Sequence, residues 1–300
     1  MIYPLVRDMH EEERIPIKRI CAKMGLCVRA YYDWRKSPFS NREVENKAIL
    51  NYLRTAHEND PAAGYRVLRD DIEPELHKKG LYAGRKRVWR ICSRNGIFAN
   101  HSNIHAKGAK GGRSGPPAHE DKVGRVFSGY GPNQVWLSDI TEHYTREGKV
   151  YWCGFKDLCS NRIVGQAAGA RMTAGLVESA LLDALENRGY PKDVIVHSDR
   201  GSQYRSGLIL EAIRAYGLLG SMGQVRTCAD NAPMESFNAL LQKNVLNQRK
   251  VWDSRSELIH SIYRWVNVRY NKQRRQDALG RMTPEEYELV YFDLFDSESV

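Results

Sequence analysis

The sequence predicts a mixed α/β sheet preceded by a basic helical region, and three observations carry that prediction. From Asn133 onward, three consecutive strand-like segments are followed by helices and strands in alternation. The apolar run Val194–Ile195–Val196 leads into His197–Ser198–Asp199–Arg200–Gly201. That puts a carboxylate at the carboxyl end of a buried strand, where open α/β sheets place their ligand chemistry. Ahead of Asn133, apolar residues recur at helical spacing, glycines punctuate them, and cations accumulate without acids.

Composition bounds the answer. A chain of 300 residues corresponds to about two domains, and a hydrophobic share of 42% supports packed cores. The formal net charge of +10 suits a polyanionic partner. The charge is unevenly placed: Lys78 to Arg113 carries cations and no acid, whereas Glu285 to Glu298 is acidic. Six cysteines are scattered with no C-x-x-C pair, and no signal peptide is visible, which is the pattern of reduced thiols in a soluble, cytoplasmic protein. No apolar run approaches the roughly 18 residues that span a bilayer, so a membrane protein is excluded.

The elements follow in order. Ile17, Ile20, Cys21 and Met24 have helical spacing, Gly25 breaks it, and Val28, Tyr31 and Tyr32 resume it. Helix, glycine turn, helix is the outline of a helix-turn-helix, with an ordinary helical hairpin as the alternative. Three more helices are expected between 43 and 98: one through Ala48, Leu50, Tyr52 and Leu53, one from Gly64 to Gly80, and one from Arg85 to Asn95–Gly96. On the last, Lys86, Arg90 and Arg94 share a face while Val88 and Ile91 point elsewhere, and Arg87 extends the basic run. A single-sign cationic stripe suits DNA phosphates. Residues 1–98 are therefore read as a helical DNA-binding region and 99–132, rich in Gly, Ser, Lys and Pro, as a flexible basic linker. His101 and His105 have zinc-like spacing, but no acid or cysteine accompanies them and no metal is assigned there.

Residues 133–249 form the expected core. Gln134–Thr145, Val150–Asp157 and Arg162–Ala168 read as strands, and Thr173 caps a helix running to Asn187. The Asp199 strand, a helix near Leu208–Tyr216 and a strand near Leu218–Met222 come next. In the closing helix, 231–249, Met234, Phe237, Leu241 and Val245 share one face, with Glu235, Asn238 and Gln242 on a neighbouring one. A helix from about Asp253 to Tyr270 and the basic Lys272–Arg275 belong to a C-terminal extension, 250–300.

Three acids are candidates for one site: Asp139 on the first strand, Asp199 at a strand end, and Glu235 at the start of the closing helix. Transfer at a phosphodiester needs a deprotonated attacking oxygen and a stabilised leaving oxygen, which two Mg²⁺ ions about 3.5–4 Å apart supply. Mg²⁺ takes hard oxygen ligands, so carboxylates are the residues to hold it, with Mn²⁺ able to substitute. Asp157 reads as a turn residue and Asp230 as a helix cap.

Trp136–Leu137–Ser138–Asp139–Ile140–Thr141, His197 through Tyr204, and Asp230–Asn231–Ala232–Pro233–Met234–Glu235–Ser236–Phe237 resemble the three catalytic blocks of bacterial insertion-sequence transposases, the second-reading-frame type with a retroviral-integrase-like core. The 35 residues between Asp199 and Glu235 match that family's spacing. Tyr31–Tyr32–Asp33–Trp34, Gly64–Tyr65–Arg66 and Arg85–Lys86–Arg87–Val88 are similar to its helix-turn-helix segments, and Tyr270–Asn271, Arg274–Arg275, Ala278–Leu279–Gly280 and Pro284 to its C-terminal signature. The resemblance implies a ribonuclease H-like fold and metal-dependent strand cleavage and strand transfer at insertion-sequence ends. It implies that Asp139, Asp199 and Glu235 are metal ligands, and that Asn231, Arg200 and Gln203 support the site or touch DNA. It further implies double-stranded DNA as substrate and target, a homo-oligomer on DNA, and cooperation with a short upstream-frame protein. Gln242 stands where the family usually has a cation, with Lys243 about 100° around the helix, and Gln276–Asp277 replaces a common His–Ser. Gln242, Lys243, Lys272, Arg274 and Arg275 are expected near DNA. An inactive or domesticated DNA-binding copy and a nuclease of the same fold are the alternatives.

Overall fold

The computed structural model describes residues 2–99, 116–223, 231–249 and 251–296. The chain divides into two compact units, Met1–Asn59 with Leu68–Phe98, and Asp60–Val67 with Ala99–Val300. Residues 100–115, which include His101 and His105, lie outside the described residues, as do Cys228 and Asp230.

In the first unit, α1 (Tyr3–Glu13), α2 (Ile17–Lys23) and α3 (Val28–Lys36) close around Val6, Ile17, Ile20, Cys21 and Tyr31. Gly25, at φ +63°, makes the turn between α2 and α3 that the sequence predicts, because the left-handed region is open to glycine without a Cβ clash. Helix α1 was not expected. A reciprocal capping box opens α4 (Asn41–Asn59): the Ser40 N–H donates to the Glu43 carboxylate at 2.8 Å and the Glu43 N–H donates to Ser40 Oγ at 3.2 Å. Helices α5 (Tyr65–Lys78) and α6 (Arg85–Arg94) follow. On α6, Val88, Ile91 and Cys92 are buried, and Lys86, Arg90 and Arg94 are exposed.

The second unit is built on five strands in the order β3-β2-β1-β4-β5. They are β1 (Val135–Thr145), β2 (Gly148–Asp157), β3 (Ile163–Gly169), β4 (Ile195–Ser198) and β5 (Leu219–Met222). The first three are antiparallel neighbours, and β4 and β5 run parallel to β1. Strand alternation splits the side chains between two cores. Trp136, Cys153 and Phe155 face α7 (Ala174–Asn187) and α8 (Gly207–Ala215), where they meet Leu181, Leu185, Ile209 and Ile213. Leu137, Val150 and Trp152 face the other way, onto Met234, Phe237 and Leu241 of α9 (Ala232–Asn244) and Leu258 and Ile262 of α10 (Arg255–Arg264). This is the ribonuclease H-like arrangement, with the β-β-β-α-β-α-β-α order read from the sequence.

Four details differ from the expectation. The closing helix stops at Asn244, where Val245 turns to φ −125°, and a short 3-10 turn, Leu246–Gln248, follows. The next helix gives way to a π-helical turn at Trp265–Tyr270. The stretch 116–132 is no free spacer, since Val123 is buried in the α9-side core and the Lys122 N–H donates to Ser221 Oγ at 2.9 Å. Asp157 is more than the turn residue expected after β2, although its Oδ1 does take the Cys159 N–H two residues on. It ends β2 fully buried, accepting the N–H groups of Asn133 and Cys159, with the Arg188 guanidinium at 3.3 Å.

Arg188 also binds Glu288 at 2.7 Å, and Glu288 takes Arg162 at 2.8 Å and the Ser160 hydroxyl at 2.6 Å. This buried network docks the C-terminal helix α11 (Pro284–Asp296) on the sheet. The outer edge of β3 is met by side chains. Asn271 takes both the N–H and the C=O of Ile163, Asn187 donates to the Val164 carbonyl, and Asp183 accepts the Gln166 N–H.

Candidate active site

The parallel register places the first two acids side by side. Val135, Trp136 and Leu137 of β1 pair with Ile195, Val196 and His197 of β4, so Asp139 and Asp199 each stand two residues beyond the last pair, on the same face. Neighbouring strands lie about 4.8 Å apart, which sets the scale of their separation. Opposite Asp139 on β2 is Gly154. Glu235 enters from the first turn of α9, the helix packed on that face, where the positive end of the helix favours a carboxylate.

The negative charges of Asp199 and Glu235 both act on Asp139. Burial pushes the Asp139 carboxyl up to about 7, and the negative charges of Asp199 and Glu235 push in the same direction. The Ile140 N–H at 2.8 Å and the Asn238 amide at 2.7 Å oppose this by donating to its two oxygens. Asp199 is exposed and accepts the Gly201 N–H at 2.9 Å. A Cβ at position 201 would stand 2.9 Å from that same carboxylate oxygen. Glu235 is exposed. Among the described residues no cation forms an ion pair with Asp139, Asp199 or Glu235.

Hard oxygen donors on one face without a paired cation fit a divalent cation, which would favour the charged form of the buried Asp139 carboxyl. The side chains are not drawn into a closed cage: among the described residues no three His, Cys, Asp or Glu side chains stand ready around one point.

Ser138 joins the elements behind the acids. Its carbonyl accepts the Asn231 amide at 3.0 Å, and its hydroxyl lies 2.8 Å from the Tyr204 hydroxyl, in the loop that carries Asp199. Asn231, a sequence candidate, is thus a buried tie between α9 and β1. Asn238 carries no sequence signal beyond its place on the same helix face as Glu235. Tyr204 and Ser138 lay within the recognised motifs without individual signal.

The remaining candidates separate. Lys86, Arg90, Arg94 and Lys272 are exposed, and Gln242 and Lys243 are half-buried on α9. Arg200 donates to the Gly223 carbonyl at 2.7 Å, and Gln203 to that of Met172 at 3.5 Å. Three of the arginines expected near DNA also meet acids or carbonyls of the chain. Arg87 binds Glu45 and Asn46, Arg274 lies 3.8 Å from the buried Asp60, and Arg275 binds Glu286 and the Arg281 carbonyl.

The Integrase core domain family matches residues 129–228, and a second Integrase core domain family matches residues 216–284. With the sheet order, these matches define a catalytic core of the integrase type, a class dependent on divalent metal. The chain is 31% identical over 282 residues to the insertion element IS600 uncharacterized 31 kDa protein of Shigella sonnei, covering 92% of this chain and 99% of that one. It is 30% identical to the transposase for insertion sequence element IS904 of Lactococcus lactis, covering 83% of this chain and 96% of that one, and 30% identical to transposase InsF for insertion sequence IS3A of Escherichia coli, covering 94% and 96%. Among solved structures, the HTLV-2 integrase catalytic core domain in complex with magnesium is similar at 19% identity and a TM-score of 0.42, over 54% of this chain and 99% of that chain. The chain belongs to the insertion-sequence transposases, enzymes of the polynucleotidyl transferase class.

Proposed function

We propose that Asp139, Asp199 and Glu235 are the active site at which this transposase cuts a DNA strand at the ends of its insertion sequence and joins the freed end to target DNA. The parallel register of β1 and β4, which sets Asp139 beside Asp199 on the face against which α9 brings Glu235 in its first turn, supports this most directly. Two Mg²⁺ ions, or Mn²⁺ in their place, would be held by the three carboxylates and would supply charge stabilisation to the attacking and leaving oxygens.

The chain's own part is placement. Asp139 stands on β1 and Asp199 just past the end of the neighbouring β4, and Asn238 orients one oxygen of Asp139. In cleavage a water oxygen bonds to the phosphorus and the strand's bridging oxygen leaves. In joining, a DNA 3′ oxygen attacks and the target strand's bridging oxygen leaves. Lys86, Arg90 and Arg94 in the helical region 1–98 and Lys272 in the extension offer exposed cations for double-stranded DNA. Action on paired ends in the cytoplasm implies a homo-oligomer on DNA, with an upstream-frame protein as a further partner.

The test is Mg²⁺-dependent cleavage and joining of an end-repeat duplex by wild type and Glu235→Gln. Loss of both reactions with retained DNA binding supports the assignment. Cleavage that survives in Glu235→Gln and in Asp139→Asn overturns it.

A further inference from the structure

Lys156 is a buried lysine that the triad does not use. On β2 it pairs with Leu137 of β1, so it projects from the sheet face that also carries Asp139 and packs against α9. It is 5% exposed, and its Nζ donates to the Pro233 carbonyl at 2.9 Å. Pro233 belongs to the first turn of α9, two residues before Glu235.

The fold alone does not account for this residue. Among the described residues no carboxylate pairs with it, and burial alone pulls its amine down to about 7. A buried cation without a counter-charge is unfavourable, and the N-terminal end of a helix is the wrong end for one. Methionine has similar length and would fill the same space without either penalty. What Lys156 adds is reach with a donor. Proline has no N–H, so residue 233 can be tied to the sheet only through its carbonyl. The other tie at this turn is the Asn231 amide on the Ser138 carbonyl at 3.0 Å. The start of α9 is therefore fixed at two points, to β1 through Asn231 and to β2 through Lys156, and Glu235 follows directly.

We propose that Lys156 is a positioning residue, whose bond to the Pro233 carbonyl sets where Glu235 stands relative to Asp139. The inference rests on the triad assignment above. It acts on metal binding through α9, without touching the ligands.

The experiment uses the full chain as wild type, Lys156→Met, Lys156→Gln and Glu235→Gln. It reads Mn²⁺ binding by electron paramagnetic resonance, the metal-free melting temperature, and binding to end-repeat DNA. Orienting partners behind metal ligands typically change affinity by about 10–100-fold, so Mn²⁺ half-saturation rises at least about tenfold in Lys156→Met. Its melting temperature and DNA binding stay at the wild-type level, a split that a general packing defect would not give. Unchanged Mn²⁺ affinity in either folded Lys156 variant overturns the inference while leaving the triad intact. Failure of both variants to fold also overturns it, by marking Lys156 as structural. Wild-type Mn²⁺ binding that Glu235→Gln does not weaken overturns the triad assignment and this inference with it.

Discussion

Ser138 is adjacent to Asp139, yet its hydroxyl points to the opposite face of β1, where it meets Tyr204 at 2.8 Å and Cys153 Sγ at 3.6 Å. A buried hydroxyl pair of this kind contributes about 1 kcal/mol net. Tyr204→Phe keeps the ring in its core and removes only that link. We expect urea denaturation to show a loss of about 1 kcal/mol, with cleavage reduced because the Asp199 loop is less firmly held. Asn238→Ala leaves Asp139 without its side-chain donor, so the carboxyl rises further and metal half-saturation rises about tenfold, as read by Mg²⁺ titration of cleavage. The acids were legible in the sequence because strand ends and helix starts have local signatures. Asn238 was half legible, by its spacing from Glu235. Asp157 and Lys156 were not, because what decides them is burial against residues far along the chain: Arg188 for one, Pro233 for the other.

Elements with strong local periodicity, β1 to β5 and α7 to α9, lie close to where the sequence predicts them, since alternation and a cap such as Thr173 are short-range facts. The docking of α11 was not legible, because its anchor is Glu288 meeting Arg188 and Arg162 more than 99 residues away in the chain. Burial alone would raise the Glu288 carboxyl, but the Arg188 bond and charge, with Ser160 and Arg162, hold it below the ordinary glutamate range. A depressed acid contributes stability above its unfolded value, about 4.3, and loses that contribution as pH falls through its lower folded value. Glu288→Gln therefore costs about 2 kcal/mol at pH 7, where it leaves Arg188 with Asp157 alone and Arg162 with Glu285 alone, and the gap to wild type closes below about pH 4. Chemical denaturation across that range checks both the size and the sign. At β3, a Cβ on Gly165 would run into Ala184 of α7. Gly165→Ala is expected to force helix and sheet apart at a cost of about 1–3 kcal/mol, visible as a lower melting temperature.

At the scale of the whole chain, the net charge of +10 matters through where it is free. Arg87, Arg274 and Arg275 answer acids in their own units, whereas Lys86, Arg90 and Arg94 face solvent along one side of α6. Each phosphate contact changes the slope of log affinity against log salt by about one. Replacing all three exposed cations with alanine is expected to flatten that slope by about three, measured by fluorescence anisotropy on duplex DNA, while metal binding is unchanged. A second whole-molecule property follows from the dressed margin of β3. An open strand edge is a template on which another chain can add itself, and that is how sheets fuse into aggregates. Asn271, Asn187 and Asp183 occupy the hydrogen-bonding positions such an incoming strand would need. Along that margin the positions from Ile163 to Gln166 are taken, so copies of the protein gathered at high local concentration cannot add strand upon strand there.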